Sequence, residues 1–141
     1  KWKLPAFDKR YLLCSNHIFC SGIFLKDDWS QIGGYDENMK QGWEDWEFWI
    51  NLLYTLNKNA YRINYTGFYY RRKENSMGDN VFNSQQTQLK IYEYVYSKHK
   101  ALYDCNFPHP IIAYKKLTSF EKKFRPFIQI GQKISALSRR G

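Results

Sequence analysis

The sequence is poor in cysteine and contains no long apolar run. Three Cys residues among 141 positions provide no disulfide framework and fit a reducing compartment. No stretch approaches the roughly 20 consecutive apolar residues of a membrane-spanning helix. The first residues do not form a secretory signal pattern, and there is no initiator Met. We therefore expect the chain to be part of a longer protein that stays inside the cell.

Cys14, His17 and Cys20 are evenly spaced, but their geometry is poor for a metal site. Residues 17–25 predict a strand, in which positions 17 and 20 point to opposite faces. On a helix the three side chains would drift around the axis and converge poorly. We therefore expect no zinc site here, and we expect the cysteines to act as small buried hydrophobic residues.

Positive charge and aromatic residues are abundant, and the charge is unevenly placed. The chain has 22 Lys and Arg against 13 Asp and Glu, and 19% of its residues are aromatic. Residues 1–70 hold 8 cations and 8 anions, whereas residues 71–141 hold 14 cations and 5 anions. The asymmetry indicates that the second half meets a phosphate ligand, a nucleic acid or a lipid surface. A solvated basic tail is the alternative.

The hydrophobic pattern predicts an α/β chain with a small mixed sheet and a helical C-terminal tail. Helices are predicted at residues 7–15 (with Asp8 as N-cap), 27–32, 44–56 and 84–102. Strands are predicted at residues 17–25, 61–64 and 68–72. Residues 104–112, which contain two prolines, are predicted to be irregular. The helix over 44–56 has an apolar stripe at helical spacing: Trp46, Trp49, Ile50 and Leu53.

The tail after Thr118 predicts a basic amphipathic helix that Pro126 divides or restarts. On a helical wheel its Phe, Ile and Leu residues share one half, and most of its cations lie on the other. Two interpretations stay open. Residues 118–140 lie on an anionic membrane surface, or they form a terminal helix that packs on the domain with a solvated basic face.

The stretch from residue 32 to 77 carries the residues suited to chemistry. Gly33-Gly34 permits backbone angles that other residues avoid and a close approach of a ligand. Glu44-Asp45 opens a helix between Trp43 and Trp46. Trp faces pack against sugar rings, and a carboxylate there can take a proton from an attacking hydroxyl. The alternative is that the acidic pair only complements the helix dipole and that the Trp residues belong to the core.

A cationic run, Arg71-Arg72-Lys73, ends the last predicted strand. Arg recognises phosphate through a planar pair of donors, and Lys adds a point charge. The run suits a diphosphate ligand, and a solvated strand end is the alternative.

The order of these motifs resembles the C-terminal half of a family 2 inverting glycosyltransferase of GT-A fold. The resemblance rests on Gly-Gly-Tyr-Asp-Glu at 33–37, Glu-Asp-Trp-Glu-Phe-Trp at 44–49 and Tyr-Arg-Arg-Lys-Glu-Asn-Ser-Met at 70–77. It covers residues 7–77. It implies that residues 1–80 are the acceptor-side half of the transferase domain and that residues 81–141 are a helical, basic extension.

The resemblance also implies a reaction and its residues. A sugar moves from a nucleotide-diphosphate donor to a hydroxyl of a carbohydrate or lipid-linked acceptor, in cell-envelope or capsular polysaccharide synthesis. Asp45 is then the catalytic base and Glu44 assists it. The remaining residues implied in binding are Trp43, Trp46, Gly33, Gly34 and Asp36 at the sugar site, and Arg71, Arg72 and Lys73 at the donor diphosphate. The expected location is cytoplasmic, and peripheral at the inner face of the membrane if the tail binds lipid.

Two departures from the family pattern bear on activity. Relatives use Mg²⁺ or Mn²⁺ and often place a His metal ligand where this chain has Arg72 or Lys73. The family's nucleotide-binding half, with its Asp-containing metal motif, lies outside these residues, and Asp27-Asp28 does not match that motif. We therefore expect the chain alone to be inactive, with most metal ligands elsewhere.

A basic, aromatic-rich nucleic-acid-binding module is the alternative function. Against it, the aromatic residues of 29–54 lie in the neutral half of the chain, and there is no base-reading motif. On balance we expect no nucleic-acid partner.

Overall fold

A computed structural model describes residues 5–65, 67, 69, 81 and 83–138, with side chains in the last helix described up to Arg125. The chain divides into two compact units, residues 1–100 and residues 101–141. Six helices are described: α1 (Lys9–Leu12), α2 (Lys26–Gln31), α3 (Glu44–Thr55), α4 (Gln85–Lys98), α5 (Lys100–Asn106) and α6 (Pro110–Ser138). No strand or sheet occurs among the described residues. The predicted mixed α/β sheet of a GT-A domain is therefore wrong for this part of the chain.

The predicted strand at 17–25 is interrupted by a turn. The N–H of Gly22 donates to the carbonyl of Phe19 at 2.9 Å, so the first half of the run curls back on itself. The second half has no regular secondary structure, and Ile23 and Leu25 are 87% and 65% exposed. A strand needs a neighbour to pair its backbone groups, and no neighbouring strand lies among the described residues.

The predicted strand at 61–64 is also absent. Tyr61 and Ile63 are 88% and 70% exposed, although their spacing is strand-like. The prediction at 68–72 lies outside the described residues, apart from Tyr69. Alternating apolar and polar residues form a strand only when a second strand pairs with them and one face of the sheet is buried. The prediction therefore failed here.

The short helices begin and end where their capping residues predict. The Asp8 carboxylate accepts the N–H groups of Arg10 and Tyr11 at 2.8 and 3.0 Å, which confirms Asp8 as the N-cap of α1. Helix α2 ends before Gly33 and Gly34, whose φ angles are +83° and +78°. Such left-handed angles suit glycine and stop the helix, as the sequence predicts.

Helix α3 forms the centre of the first unit. Its predicted stripe is buried, and Glu47, Phe48 and Leu52 are buried as well, so the helix is covered on nearly every side. Helix α1 packs against it. The indole N–H of Trp46 donates to the carbonyl of Leu12 at 2.6 Å, and the Tyr54 hydroxyl donates to the carbonyl of Lys9 at 2.9 Å.

The C-terminus of α3 is fixed by its backbone and by an ion pair. Asn57 adopts the left-handed conformation with φ +49°, and the N–H of Lys58 donates to the carbonyl of Leu53 at 2.9 Å. The Lys58 ammonium then reaches both oxygens of the Asp28 carboxylate at 2.5 Å. Asp28, on α2, is only 7% exposed, so this pair ties α2 to the end of α3.

Helix α4 is shorter than predicted. Ser84, the first residue of the predicted range, caps it through a bond from the N–H of Thr87 at 3.2 Å. The helix ends at Lys98 instead of residue 102. Ile91 and Val95 are its buried residues, whereas Leu89 is 52% exposed.

The second unit contradicts two predictions. Most of 104–112 is helical, because α5 runs to Asn106 and α6 begins at Pro110, where the missing N–H of a proline is no loss. Helix α6 also continues through Pro126 without a break, since an interior proline removes only one hydrogen bond from a helix of 29 residues. None of the helices in the described parts combines the length and apolar composition needed to cross a bilayer.

Candidate functional site

Asp45 lies in the first turn of α3, where backbone N–H groups have no partner within the helix. Its carboxylate is half-buried and accepts hydrogen bonds from the N–H of Trp46 and from the side chain of Asn16. Burial raises the pKa of the Asp45 carboxyl above its usual value, the Glu44 carboxylate raises it further, and these hydrogen bonds only partly oppose the rise. A half-buried carboxylate with raised proton affinity is suited to act as a base.

Tyr35 brings a phenol into the neighbourhood of this acidic pair. Its ring stacks on Phe48 of α3, with the ring centroids 4.4 Å apart. Burial raises the pKa of the Tyr35 hydroxyl, and the charges of Asp45 and then Glu44 raise it further. Tyr35 is 40% exposed, and the effect of both carboxylates on its pKa indicates that its hydroxyl lies in their neighbourhood. The sequence analysis did not select Tyr35.

The two Trp residues that flank the acidic pair differ in their surroundings. Trp46 is 3% exposed and bonded to Leu12, so its ring belongs to the core. Trp43 is half-buried and lies at the N-cap of α3 in the left-handed conformation, with φ +60°. Its ring contacts Trp46 and Tyr92, at centroid distances of 6.0 and 5.5 Å. A bulky residue in this conformation is strained, and such strain concentrates at functional sites.

The two glycines of the predicted sugar segment have different neighbours. A Cβ on Gly34 would lie 2.7 Å from the Trp29 ring, so only glycine allows the chain to pass there. A Cβ on Gly33 would meet nothing within 4 Å. Gly33 therefore faces open space among the described residues, whereas Gly34 is required for packing. The predicted role of both residues beside a sugar stays a prediction.

Asp36 is engaged by its own turn and by α4. One carboxylate oxygen accepts the N–H of Asn38 at 2.9 Å, and the other accepts the Tyr94 hydroxyl and the Lys98 ammonium at 2.8 and 2.6 Å. Burial acts to raise the pKa of Asp36, but these bonds outweigh it and hold that pKa well below its usual range. Asp36 is therefore an ionised anchor that ties the loop after Gly34 to α4.

Glu47 extends this anchor into the core. Its side chain is fully buried, and Oε1 lies 2.9 Å from the Lys98 ammonium and 2.7 Å from Nε2 of His99. Oε2 has no hydrogen-bond partner in the described part of the chain. Lys98 thus bridges a carboxylate on the loop and a carboxylate on α3, two residues after the candidate base. We call these residues the clamp: Asp36, Glu47, Lys98 and His99.

Sequence reasoning selected Asp36 but missed the other three residues of the clamp, although one signal for them was present. Glu47 is in the first turn of α3 with Glu44 and Asp45, where acidic residues complement the helix dipole. Lys98 and His99 follow Ile91 at seven and eight positions, which places them on the buried face of α4. A cation at the end of a buried helical stripe is unusual unless it is paired, and that pattern could have identified it.

Other predicted groups lie apart from this site or outside the described residues. Arg71, Arg72 and Lys73 lie outside them. In the described ranges, no three His, Cys, Asp or Glu residues form a group that could hold a metal ion. A surface concavity at residues 5–11 is lined by none of the candidate residues. Cys14, Cys20 and Cys105 are exposed free thiols, so the expectation that they are buried is wrong.

Comparisons with known proteins identify no relative of this chain. The chain matches no protein-family model, no curated protein and no solved structure.

Proposed function

We propose that this chain is the acceptor-side part of an inverting glycosyltransferase that uses a nucleotide-diphosphate sugar. The proposal rests on the motif order given above, and one observation carries it: the half-buried Asp45 carboxylate at the start of α3, with raised proton affinity. The nearby Tyr35 hydroxyl supports the same view, because it adds a hydroxyl group to the surface at which an acceptor would dock.

In the proposed reaction, Asp45 accepts the proton of an acceptor hydroxyl as that oxygen attacks the anomeric carbon of the donor. The bond from this carbon to the diphosphate oxygen breaks, the nucleoside diphosphate leaves, and the configuration inverts in a single displacement. Proton transfer to a positioned base is worth about 10² to 10⁴ in rate. Glu44 acts through its charge, which raises the pKa of Asp45, and it lies exposed where it can also contact an acceptor.

The clamp acts as a positioning device in this proposal. Lys98 joins Asp36 to Glu47, so the loop that carries the predicted sugar residues is held against the helix that carries Asp45. Because both Asp36 oxygens have protein partners, Asp36 holds this loop in place instead of binding the sugar directly. Trp43, which is half-buried, is the more accessible of the two Trp residues proposed to face a saccharide.

A divalent metal is part of the proposal only for the whole enzyme. The described residues do not fit Mg²⁺ or Mn²⁺, since they contain no suitable group of ligands. We therefore place the metal ligands on other parts of the enzyme and derive no step through the metal. We assign the donor diphosphate to Arg71, Arg72 and Lys73 on their charge alone. The proposed setting is polysaccharide synthesis on the cytoplasmic side, with a carbohydrate or lipid-linked acceptor.

The proposal is tested by Asp45→Asn in the whole enzyme, with Asp27→Asn as the control. Asp27 is an exposed acidic residue on α2, and its substitution makes the same chemical change outside the site. We expect Asp45→Asn to lower kcat by about 10²-fold or more while donor binding is unchanged. Transfer is followed as nucleoside diphosphate release from a panel of nucleotide sugars. Retained turnover in Asp45→Asn would remove Asp45 from the role of base.

A second test concerns the chain by itself. Because the proposal places the nucleotide-binding half outside these 141 residues, we expect no tight binding of a UDP-sugar and no turnover by this chain alone. Isothermal titration with UDP-glucose and UDP-N-acetylglucosamine measures the binding. A micromolar dissociation constant would show that the donor site lies within this chain, contrary to the proposal.

A further inference from the structure

Helix α6 exposes large apolar side chains along its first four turns. Five of them are at least half exposed: Ile111 61%, Ile112 50%, Tyr114 67%, Leu117 54% and Phe120 57%. No side chain is buried between residues 110 and 125. So many exposed large apolar side chains within 10 residues are uncommon on a protein that works alone in water, and they mark a place where something binds.

The same segment is strongly cationic. Residues 110–125 contain five Lys or Arg residues against one acidic residue, Glu121. Lys123 lies over the ring of Phe124, with its ammonium 5.6 Å from the ring centroid. The partner of this surface is therefore expected to be anionic as well as apolar.

Helical geometry arranges the two kinds of residue in adjacent bands. With about 100° between successive residues, Leu117 and Phe120 share an arc of about 60° with Ala113 and Phe124. The Phe120 and Phe124 rings pack at a centroid distance of 4.4 Å. Lys116 and Lys123 border this arc on one side, whereas Glu121, Tyr114 and then Arg125 follow it on the other, and Lys115 and Lys122 lie opposite it. An apolar band on a helix whose remaining surface carries mostly Lys and Arg is typical of helices that lie in a membrane interface.

We propose that α6 binds the surface of a bilayer that contains anionic phospholipid. The apolar band lies among the acyl chains just below the headgroups, and the flanking cations contact lipid phosphates. A second copy of the chain fits less well, because the segment carries five cations against one acidic residue, so two copies side by side would repel each other. A nucleic acid fits less well, because the two Phe rings of the band pack against each other at 4.4 Å and the band also contains Leu117 and Ala113, which offer nothing to bases or phosphates. This surface is independent of whether Asp45 is a base.

The experiment is sedimentation of the purified chain with extruded vesicles. One set consists of phosphatidylcholine alone, and the other is an equimolar mixture of phosphatidylcholine and phosphatidylglycerol. We expect strong binding to the mixed vesicles, weak binding to phosphatidylcholine, and loss of binding as salt increases. Equal binding to both compositions, or binding to neither, would overturn the proposal.

Two charge-matched variants test the apolar band separately from the charge. Phe120→Glu places a carboxylate in the band, whereas Ser119→Glu makes the same change in net charge on the opposite face. We expect Phe120→Glu to weaken binding about tenfold or more and Ser119→Glu to weaken it much less. Circular dichroism checks that both variants keep the helicity of the wild type. Equal losses in the two variants would overturn the proposed orientation of the helix.

Two further measurements test the other two partners, a second copy of the chain and a nucleic acid. Sedimentation equilibrium without lipid measures whether the chain forms a dimer. A dimer that Phe120→Glu abolishes would assign the apolar band to a second copy of the chain. Binding of a single-stranded oligonucleotide as tight as vesicle binding, and unchanged by Phe120→Glu, would assign the cations to nucleic acid. We expect neither result.

Discussion

Helices α3 and α6 are both amphipathic in sequence, yet they have opposite surroundings. Seven of the 12 residues of α3 are buried, whereas none of the side chains from 110 to 125 in α6 is. Helical periodicity predicts that a helix has an apolar face, but it does not say whether the chain supplies a cover for that face. Helix α1 packs on α3, and Lys98 of α4 pairs with Glu47 of α3. In α6 we propose that the cover is a lipid surface.

The first prediction tests this contrast directly with two Phe→Ala substitutions. Phe48 on α3 is fully buried, so we expect Phe48→Ala to lower the free energy of unfolding by about 3–5 kcal/mol. Phe120 on α6 is 57% exposed, so we expect its substitution to change stability by about 0.5 kcal/mol or less. Urea unfolding measures both variants. A large loss in Phe120→Ala would mean that α6 is covered by the protein itself.

The second prediction tests the clamp. Lys98→Met leaves the buried Glu47 and the Asp36 carboxylate without their shared cation. Loss of one partner of a buried pair costs about 3–5 kcal/mol, and we expect about 2–3 kcal/mol here because the Lys98 side chain is 33% exposed. Lys90→Met, on an exposed position of the same helix, serves as the control.

A double variant separates the electrostatic role of Lys98 from its packing. Adding Glu47→Gln to Lys98→Met removes the uncompensated buried charge, so we expect part of the lost stability to return. A double variant that is as unstable as the sum of both single variants would assign the effect of Lys98 to packing alone.

The third prediction compares the two adjacent glycines. Both have positive φ, so alanine at either position costs about 1–2 kcal/mol in backbone strain. Gly34→Ala adds a clash with the Trp29 ring, whereas Gly33→Ala meets open space. We therefore expect Gly34→Ala to be the less stable variant in thermal unfolding. The reverse order would contradict the packing described for Gly34.

The fourth prediction concerns acid stability. The pKa of Asp36 is lower in the folded chain than in the unfolded chain, so its contribution to stability is present above the unfolded value of about 3.9. This contribution is lost as the pH falls through lower values toward the folded pKa. In urea unfolding at a series of pH values, stability should fall more steeply below pH ~4 in the wild type than in Asp36→Asn. Parallel profiles would mean that the bonds to Asp36 are not formed in solution.

Local signals in the sequence predicted most of the helical structure. Caps and left-handed residues act within a few positions, so Asp8 correctly marked the start of α1 and the Gly33-Gly34 pair correctly marked the end of α2. The strand predictions at 17–25 and 61–64 failed because a strand depends on a partner strand, which is often far along the chain, and β-branched or aromatic spacing cannot supply that partner.

The candidate site was predicted only in part, because local features can be read from the sequence and long-range contacts cannot. The sequence selected the acidic pair on α3, whose position at a helix start is a local feature. It could not reveal that Glu47 meets Lys98 and His99, because that contact joins residues about 50 positions apart. It also did not separate Trp43 from Trp46, since only burial distinguishes a half-buried ring from a core ring.

The most direct test of the central claim is a carboxyl ¹³C NMR titration of Asp45 in this chain, assigned with Asp45→Asn. We predict a pKa above the ordinary value of an aspartate, because burial and the Glu44 charge both raise it. In Glu44→Gln the Asp45 pKa should fall, since the neighbouring charge is removed. An Asp45 that titrates at or below the ordinary value, and does not respond to Glu44→Gln, would contradict its assignment as a base.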